Sequence, residues 1–276
     1  MSNVLIAVTA DHHAGSSLGP VPPEGVPLDD AGSYTPSLLN QWLWQSWDGF
    51  WNRAAILRDE KEAELYHVIN GDVFEGSHHR STQVLSGNPD AQNYVASRMM
   101  DVPKSLNPNH TFVIRGTGVH AGESSSSEEG FAKTIRAEQC PETGNYSWWE
   151  LPLHINGWRL FFKHHPPSRG NLPHTQPHGV IRCAKITWDA FHLDGEDPPH
   201  IAVFSHIHTF GDSGTAYPTR ALITGSWQFE TSYVHARIPL AKAEIGGYLI
   251  LIQPELEPEV RKIQFVTKRT AAWVKE

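Results

Sequence analysis

Short apolar runs recur along the chain, and several of them stop at a polar cluster. Val4 to Thr9, Tyr66 to Asn70, Thr111 to Arg115, Arg159 to Lys163 and His200 to Phe204 read as strands by length and by β-branched or aromatic content. From Thr35 to about Arg58, Leu39, Leu43, Trp47, Phe50, Ala54 and Leu57 recur at three and four residue intervals, an amphipathic helix with Thr35 or Ser37 as its cap beside Pro36. Its tryptophans Trp42, Trp44, Trp47 and Trp51 are assigned to core packing. Helical patterns also cover Ala91 to Leu106 and Val180 to Phe191. The polar stretch Glu123 to Glu129 reads as a solvated loop leading into a helix through about Glu138.

After Tyr146 strands follow one another closely: Trp148 to Ile155, Arg159 to Lys163, His200 to Phe204, Arg220 to Thr224, Gly247 to Ile252 and Val260 to Thr267. Alternation of strands and helices predicts a layered α/β fold, read as one domain over residues 1–276. Residues 15–35, rich in Gly and Pro and without periodicity, exceed an ordinary connection of about 4–6 residues and read as an active-site loop or lid.

Composition narrows the function classes. The formal net charge of −8 disfavours extended duplex binding. Cys140 and Cys183 show neither pairing nor metal-ligand spacing and fit buried thiols in a reducing compartment. The apolar run at the N-terminus stops at Asp11, too early for a leader or a membrane span, so a cytoplasmic protein with no membrane partner is expected. Oligomeric state cannot be read.

Histidine changes the picture. Of 17, eight form close pairs: His12/His13, His78/His79, His164/His165 and His206/His208. Four strands end in Asp11-His12-His13, Gly71-Asp72, His164-His165 and Ser205-His206-Ile207-His208. Ligands of open α/β sheets sit at the carboxyl ends of strands, so these clusters are expected to share one crevice. In an extended segment Asp11 with His13, and His206 with His208, each point one way, whereas the adjacent His164 and His165 point oppositely, so one of these two is expected to be a ligand and the other not, with His164 the choice over His165. Carboxylate and imidazole donors without thiolate suit manganese first, with iron, zinc or nickel as other fits. Six or seven donors exceed what one tetrahedral ion needs, which argues for two ions sharing a carboxylate, with Asp72 the natural bridge.

In order, five blocks stand along the chain: Asp11-His12-His13, Gly71-Asp72-Val73-Phe74-Glu75, Gly116-Thr117-Gly118-Val119-His120, His164-His165 and Ser205-His206-Ile207-His208. This series resembles the calcineurin-like metallophosphoesterases, particularly divergent members found in phage genomes, whose signature runs D-x-H, G-D-x-x-[DE], G-N-H-[DE], a lone H, and G-H-x-H. The resemblance implies a four-layer αββα sandwich of the metallo-dependent phosphatase type, with mixed sheets flanked by helices, and a phage or prophage source. It also implies that Asp11, His13 and His208 hold one metal, His164 and His206 the other, and Asp72 both.

Two departures from the signature stand out. Ser205 replaces a glycine, a mild change. Thr117 replaces the asparagine that should ligate the second metal, and the neighbouring histidine is displaced to His120. Either His120 takes over as ligand, or it remains the general acid and the second ion is held more loosely.

His79, with His78, is a further candidate to reach the phosphate, and Arg80, Arg115 and Arg169 are candidate phosphate clamps. Glu75 is expected to orient a ligand histidine. The expected reaction is hydrolysis of a phosphate ester, foremost a small phosphodiester or a nucleic-acid end. Two divalent ions about 3.5 to 4 Å apart would activate a bridging hydroxide for in-line attack, with His120 protonating the leaving group. The alternatives are a metal-dependent amidohydrolase, in which H-x-H ordinarily comes first rather than last, and a catalytically weakened metal-binding interaction module.

Overall fold

In the computed structural model the described residues are 1–76, 82–122, 125–168, 175–238 and 242–267. Two mixed sheets lie face to face. The first runs, edge to edge, Glu259–Phe265 (β13), Ile245–Ile252 (β12), Asn3–Thr9 (β1), Ala63–Asn70 (β4), His110–Ile114 (β5) and Ser147–Trp148 (β6). Here β1, β4, β5 and β6 are parallel, and β12 and β13 antiparallel. The second runs Gly211–Asp212 (β10), Arg220–Ile223 (β11), Ile201–Phe204 (β9), Trp158–Phe162 (β8) and Leu151–Ile155 (β7), parallel through β8, β9 and β11.

Side-chain alternation with period two sorts the strands into layers. Val4, Ile6 and Val8 of β1 face the other sheet and pack with Leu160, Phe162, Ile201, Val203 and Leu222. Leu5 and Ala7 face outward, under helices Leu38–Glu60 (α1), Pro89–Ser105 (α2) and Ser126–Thr134 (α4). On the far side Phe161, Ala202, Phe204 and Ala221 meet Val180, Cys183 and Ala184 of Gln176–Leu193 (α5). The result is the expected four-layer αββα arrangement. Strands covered on both faces read as unbroken apolar runs, which is why β1 and β12 stand out in the sequence.

Helix α1 begins where the capping residue predicts. Ser37 Oγ accepts the Asn40 N–H at 3.2 Å and Asn40 Oδ1 accepts the Ser37 N–H at 3.0 Å, a reciprocal cap. Trp47 and Trp51 are fully enclosed, and Trp47 Nε1 donates to the Met99 carbonyl at 3.0 Å, tying α1 to α2. Cys140 and Cys183 are buried free thiols, as their isolation in the sequence implies. Among the described residues no helix is long and apolar enough to cross a membrane.

Two expectations need correction. The run from Trp148 to Ile155 is two strands in different sheets, since the chain leaves the first sheet after β6 and enters the second at β7. A continuing apolar alternation carries no mark of which sheet it pairs with. Second, α4 starts at Ser126, so Glu128 and Glu129 belong to its first turn, and Glu128 is buried rather than solvated. Residues 15–35 carry local order: Val26–Pro27 (β2) pairs with Ser33–Tyr34 (β3), and the Ser17 and Gly19 carbonyls take hydrogen bonds from the buried Asn40 amide at 3.0 and 2.7 Å.

Candidate metal centre

The parallel strands β1, β4 and β5 of one sheet and β8 and β9 of the other end on the same side of the sandwich, and each is followed within a few residues by a donor side chain. Asp11 (φ 52°), His13 (47°), Asp72 (52°), His206 (75°) and His208 (55°) all adopt left-handed backbone conformations. L-residues avoid that region, and strain of this kind gathers at functional sites. Asp11 and His13 do converge, but through a tight reversal rather than by extended alternation. The loops are laced together: Asp11 N–H donates to the Gly71 carbonyl at 2.9 Å, His13 N–H to the Asp72 carbonyl at 3.1 Å, and His206 N–H to Asp11 Oδ2 at 3.1 Å.

Two donor groups result. In the first, His13 Nε2 and His208 Nε2 are 3.1 Å apart and His208 Nε2 is 3.3 Å from Asp11 Oδ1. Asp11 Oδ1 is buried and accepts no hydrogen bond. Glu75 Oε2 stands 3.0 Å from His13 Nδ1 and accepts from the Gln228 amide at 2.7 Å, so it orients His13 as the sequence suggested.

In the second group, His164 Nε2 lies 3.0 Å from Asp72 Oδ2 while its Nδ1 bonds the Asn70 carbonyl at 2.7 Å. Thr117 Oγ1 is 3.1 Å from Asp72 Oδ2 and 3.4, 3.3 and 3.2 Å from nitrogens of His164, His165 and His206. Asp72 joins the two groups, because donor atoms of Asp11, Asp72 and His164 lie within 4.8 Å of one another. His120, on the short helix Gly118–Ala121 (α3), sits on the His13 side: its ring centre is 4.6 Å from that of His13, and its Nδ1 is 2.6 Å from the Glu75 carbonyl.

His164 and His165 do not point oppositely. Both reach Thr117 Oγ1, since the chain bends immediately after β8 instead of staying extended. His12 turns away, its Nε2 2.9 Å from Thr9 Oγ1 and its ring edge-on to Trp47. Arg115 is drawn aside to Ser147, Glu129 and the Trp149 ring and is no clamp for this cleft. His78, His79, Arg80 and Arg169 lie outside the described residues.

Charge is arranged to keep the carboxylates ionised. Burial opposes it, yet the His164 charge outweighs that and holds Asp72 well below its ordinary value, while His208 does the same for Asp11. Burial likewise opposes the imidazolium of His164, but Asp72 raises it to about 10. Burial together with the charges of His164 and His206 lowers His165 to about 4.

Glu128 was not apparent in the sequence. It lies beneath Asp72, its two oxygens accepting Val73 N–H at 3.2 Å and Gly116 N–H at 2.6 Å, with burial and the Asp72 charge raising it to about 7. Gly116 itself is required by space, because a methyl group there would overlap the Asp72 backbone and carboxylate.

These side chains fit divalent cations. Nε2 of His13, Nε2 of His208 and Oδ1 of Asp11 converge on one point, and spacings of 3.0–3.3 Å are those of neighbouring ligands each about 2 Å from one ion. A side pocket of about 470 Å³ opens beside His165, floored by Phe161, Phe191 and Phe204 with Lys163 on its rim.

No family profile and no curated protein matches the chain. Similar solved structures include vacuolar protein sorting 29 of Cryptosporidium parvum, at 12% identity and TM-score 0.40 over 97% of this chain and 100% of that one. A hypothetical protein of Pyrococcus horikoshii OT3 is 12% identical, TM-score 0.41, over 95% and 89%. A dimetal phosphatase of Danio rerio is 8% identical, TM-score 0.43, over 94% and 99%. At these values the likenesses carry no argument about this chain, and the chemistry of the site rests on its own side chains.

Proposed function

We propose that the chain is a metal-dependent phosphoester hydrolase acting on phosphodiesters. The observation that carries this reading is the meeting, at one end of the sandwich, of Asp11, His13 and His208 with Asp72 and His164, His13 and His208 being 195 residues apart in the chain. Asp11, His13 and His208 would hold one divalent ion, His164 and His206 a second, and Asp72 both. Manganese is the first choice. Ions so held make water nucleophilic near neutral pH and offset charge on phosphoryl oxygens.

The chain's own contribution is position and proton control. Glu75 fixes the His13 ring by its 3.0 Å contact, and the Asn70 carbonyl does the same for His164 at 2.7 Å, so each directs Nε2 inward. Thr117 N–H donates to Asp72 Oδ1 at 2.6 Å and keeps that carboxylate aimed between the groups. His120, on the rim beside His13, would protonate the departing alkoxide. The pocket beside His165, where Phe161, Phe191 and Phe204 are joined by Lys163, Glu150 and Glu196, offers room for an organic group on the phosphate, in keeping with a diester. Ser16 Oγ accepts from the Gln228 amide that also binds Glu75, so residues 15–35 would wall one side of the site.

The test is hydrolysis of bis-p-nitrophenyl phosphate, p-nitrophenyl phosphate and single-stranded DNA with added Mn²⁺, each repeated after chelation. Diester turnover abolished by chelator is expected. Inertness despite tight ion binding would instead favour an interaction module, and cleavage of amides alone an amidohydrolase.

A further inference from the structure

We infer that His165 completes the second ion site in place of the asparagine that Thr117 displaces, so that this site consists of Asp72 and three imidazoles, His164, His165 and His206. The inference rests on the two-ion reading above and concerns which residue fills the gap left by the altered third block.

Donor atoms of His164, His165 and His206 lie within 4.8 Å of one another, with the His165 ring centre 4.5 Å from that of His206 and 4.8 Å from that of His164. The bend after β8 produces this, carrying both adjacent imidazoles to the Thr117 side. The competing candidates have other roles: Thr117 Oγ1 lies 3.2–3.4 Å from nitrogens of all three imidazoles but its bonds go to Asp72, and His120 lies against the first group. Thr117 directs its N–H and its hydroxyl to the two Asp72 oxygens, at 2.6 and 3.1 Å, and so positions the shared carboxylate. A neutral hydroxyl is also a weak ligand beside imidazole. His120 is grouped with His13 and Asp72 and bonds the Glu75 carbonyl at 2.6 Å, placing it against the first site rather than the second.

Two differently composed cages follow. The first mixes two carboxylates with two imidazoles, whereas the second is dominated by nitrogen and should favour Zn²⁺ over Mn²⁺. His165 is exposed on one side, so truncating it leaves the core packing intact.

The experiment titrates ion-free protein with Zn²⁺ by calorimetry and measures metal content after desalting, for wild type, His165→Ala and Thr117→Val. The expected result is two equivalents for wild type; Thr117→Val, which keeps the N–H to Asp72 Oδ1 but loses the hydroxyl on Oδ2, should still take up both, with the second weakened less than in His165→Ala. His165→Ala should keep one tight equivalent, with the second weakened at least ~100-fold. The retained equivalent and an unchanged circular dichroism spectrum serve as the folding control. A wild type that binds two ions together with a His165→Ala variant that binds both within threefold of wild-type affinity overturns the inference alone. Loss of the second ion in Thr117→Val but not in His165→Ala does the same. A wild type that takes up fewer than two ions overturns the two-ion reading, and this inference with it.

Discussion

Replacing Asp72 with asparagine probes the centre most directly, because the side chain keeps its size and loses only its charge and half its acceptors. The carboxylate accepts from Thr117 N–H at 2.6 Å and Thr117 Oγ1 at 3.1 Å and faces His164 Nε2 at 3.0 Å. An amide has one oxygen to offer, so at least two of these contacts change from charge-assisted to neutral or repulsive. Each hydrogen bond to a charged group contributes about 1.5–3 kcal/mol, so the loss is roughly 3–6 kcal/mol. At 1.36 kcal/mol per tenfold that corresponds to about 10²–10⁴ in turnover at limiting metal. The assay is bis-p-nitrophenyl phosphate hydrolysis across a Mn²⁺ series, with Arg115→Ala, whose guanidinium faces Trp149 and Ser147, as the remote control. Activity of Asp72→Asn within tenfold of wild type, at all metal concentrations, would refute the shared-ligand assignment.

Glu75→Gln removes the charge beside His13 Nδ1 and should weaken ion binding by about 10–100-fold, measured by calorimetric titration. Gly116→Ala forces a methyl group onto the Asp72 backbone, and thermal melting should show a destabilisation of about 1–3 kcal/mol. Proton release offers a third check. In ion-free protein His164, raised from 6.5 to about 10 against the opposing effect of burial, carries a proton at pH 7 that a ligand nitrogen must give up. Ion uptake at pH 7 should therefore release protons, seen as a calorimetric enthalpy that varies with buffer ionisation heat. The same pairing sets the pH profile of the ion-free fold. Its contribution is full below pH 6.5 and fades as pH climbs through about 10 on the His164 side, and it is lost in acid as pH falls through the depressed Asp72 value. Chemical denaturation without metal at pH 6 and pH 10 would measure the difference.

What could be read in the chain followed from local rules. Strands β1 and β9 announce themselves because burial on both faces makes them nearly all apolar, β4 and β8 through their shorter apolar stretches, and the donors lie within a few residues of where each strand stops. Helix α1 shows its start through Ser37 and its buried face through Trp47, Phe50 and Trp51. What could not be read depends on partners distant in sequence. Glu128 looks like a solvated charge until Val73 and Gly116 bring two N–H donors to it, the first from 55 residues away. The sheet change between Trp148 and Leu151 leaves the apolar alternation undisturbed, and the common orientation of His164 and His165 depends on a bend that neither residue type signals.

The division of the donors between the sheets has a mechanical consequence. Asp11, His13 and Asp72 follow strands of one sheet, and His164, His206 and His208 follow strands of the other, while the layer between them is held by Val, Ile, Leu and Phe contacts that are indifferent to small sliding. A cation gripped from both sides would act as a rivet through the edge of the sandwich, and shear between the layers would change the spacing of both donor groups together. Ion affinity and the rigidity of the sandwich would in this way be one property, set as much by Leu160 and Val203 in the buried layer as by the histidines at the mouth.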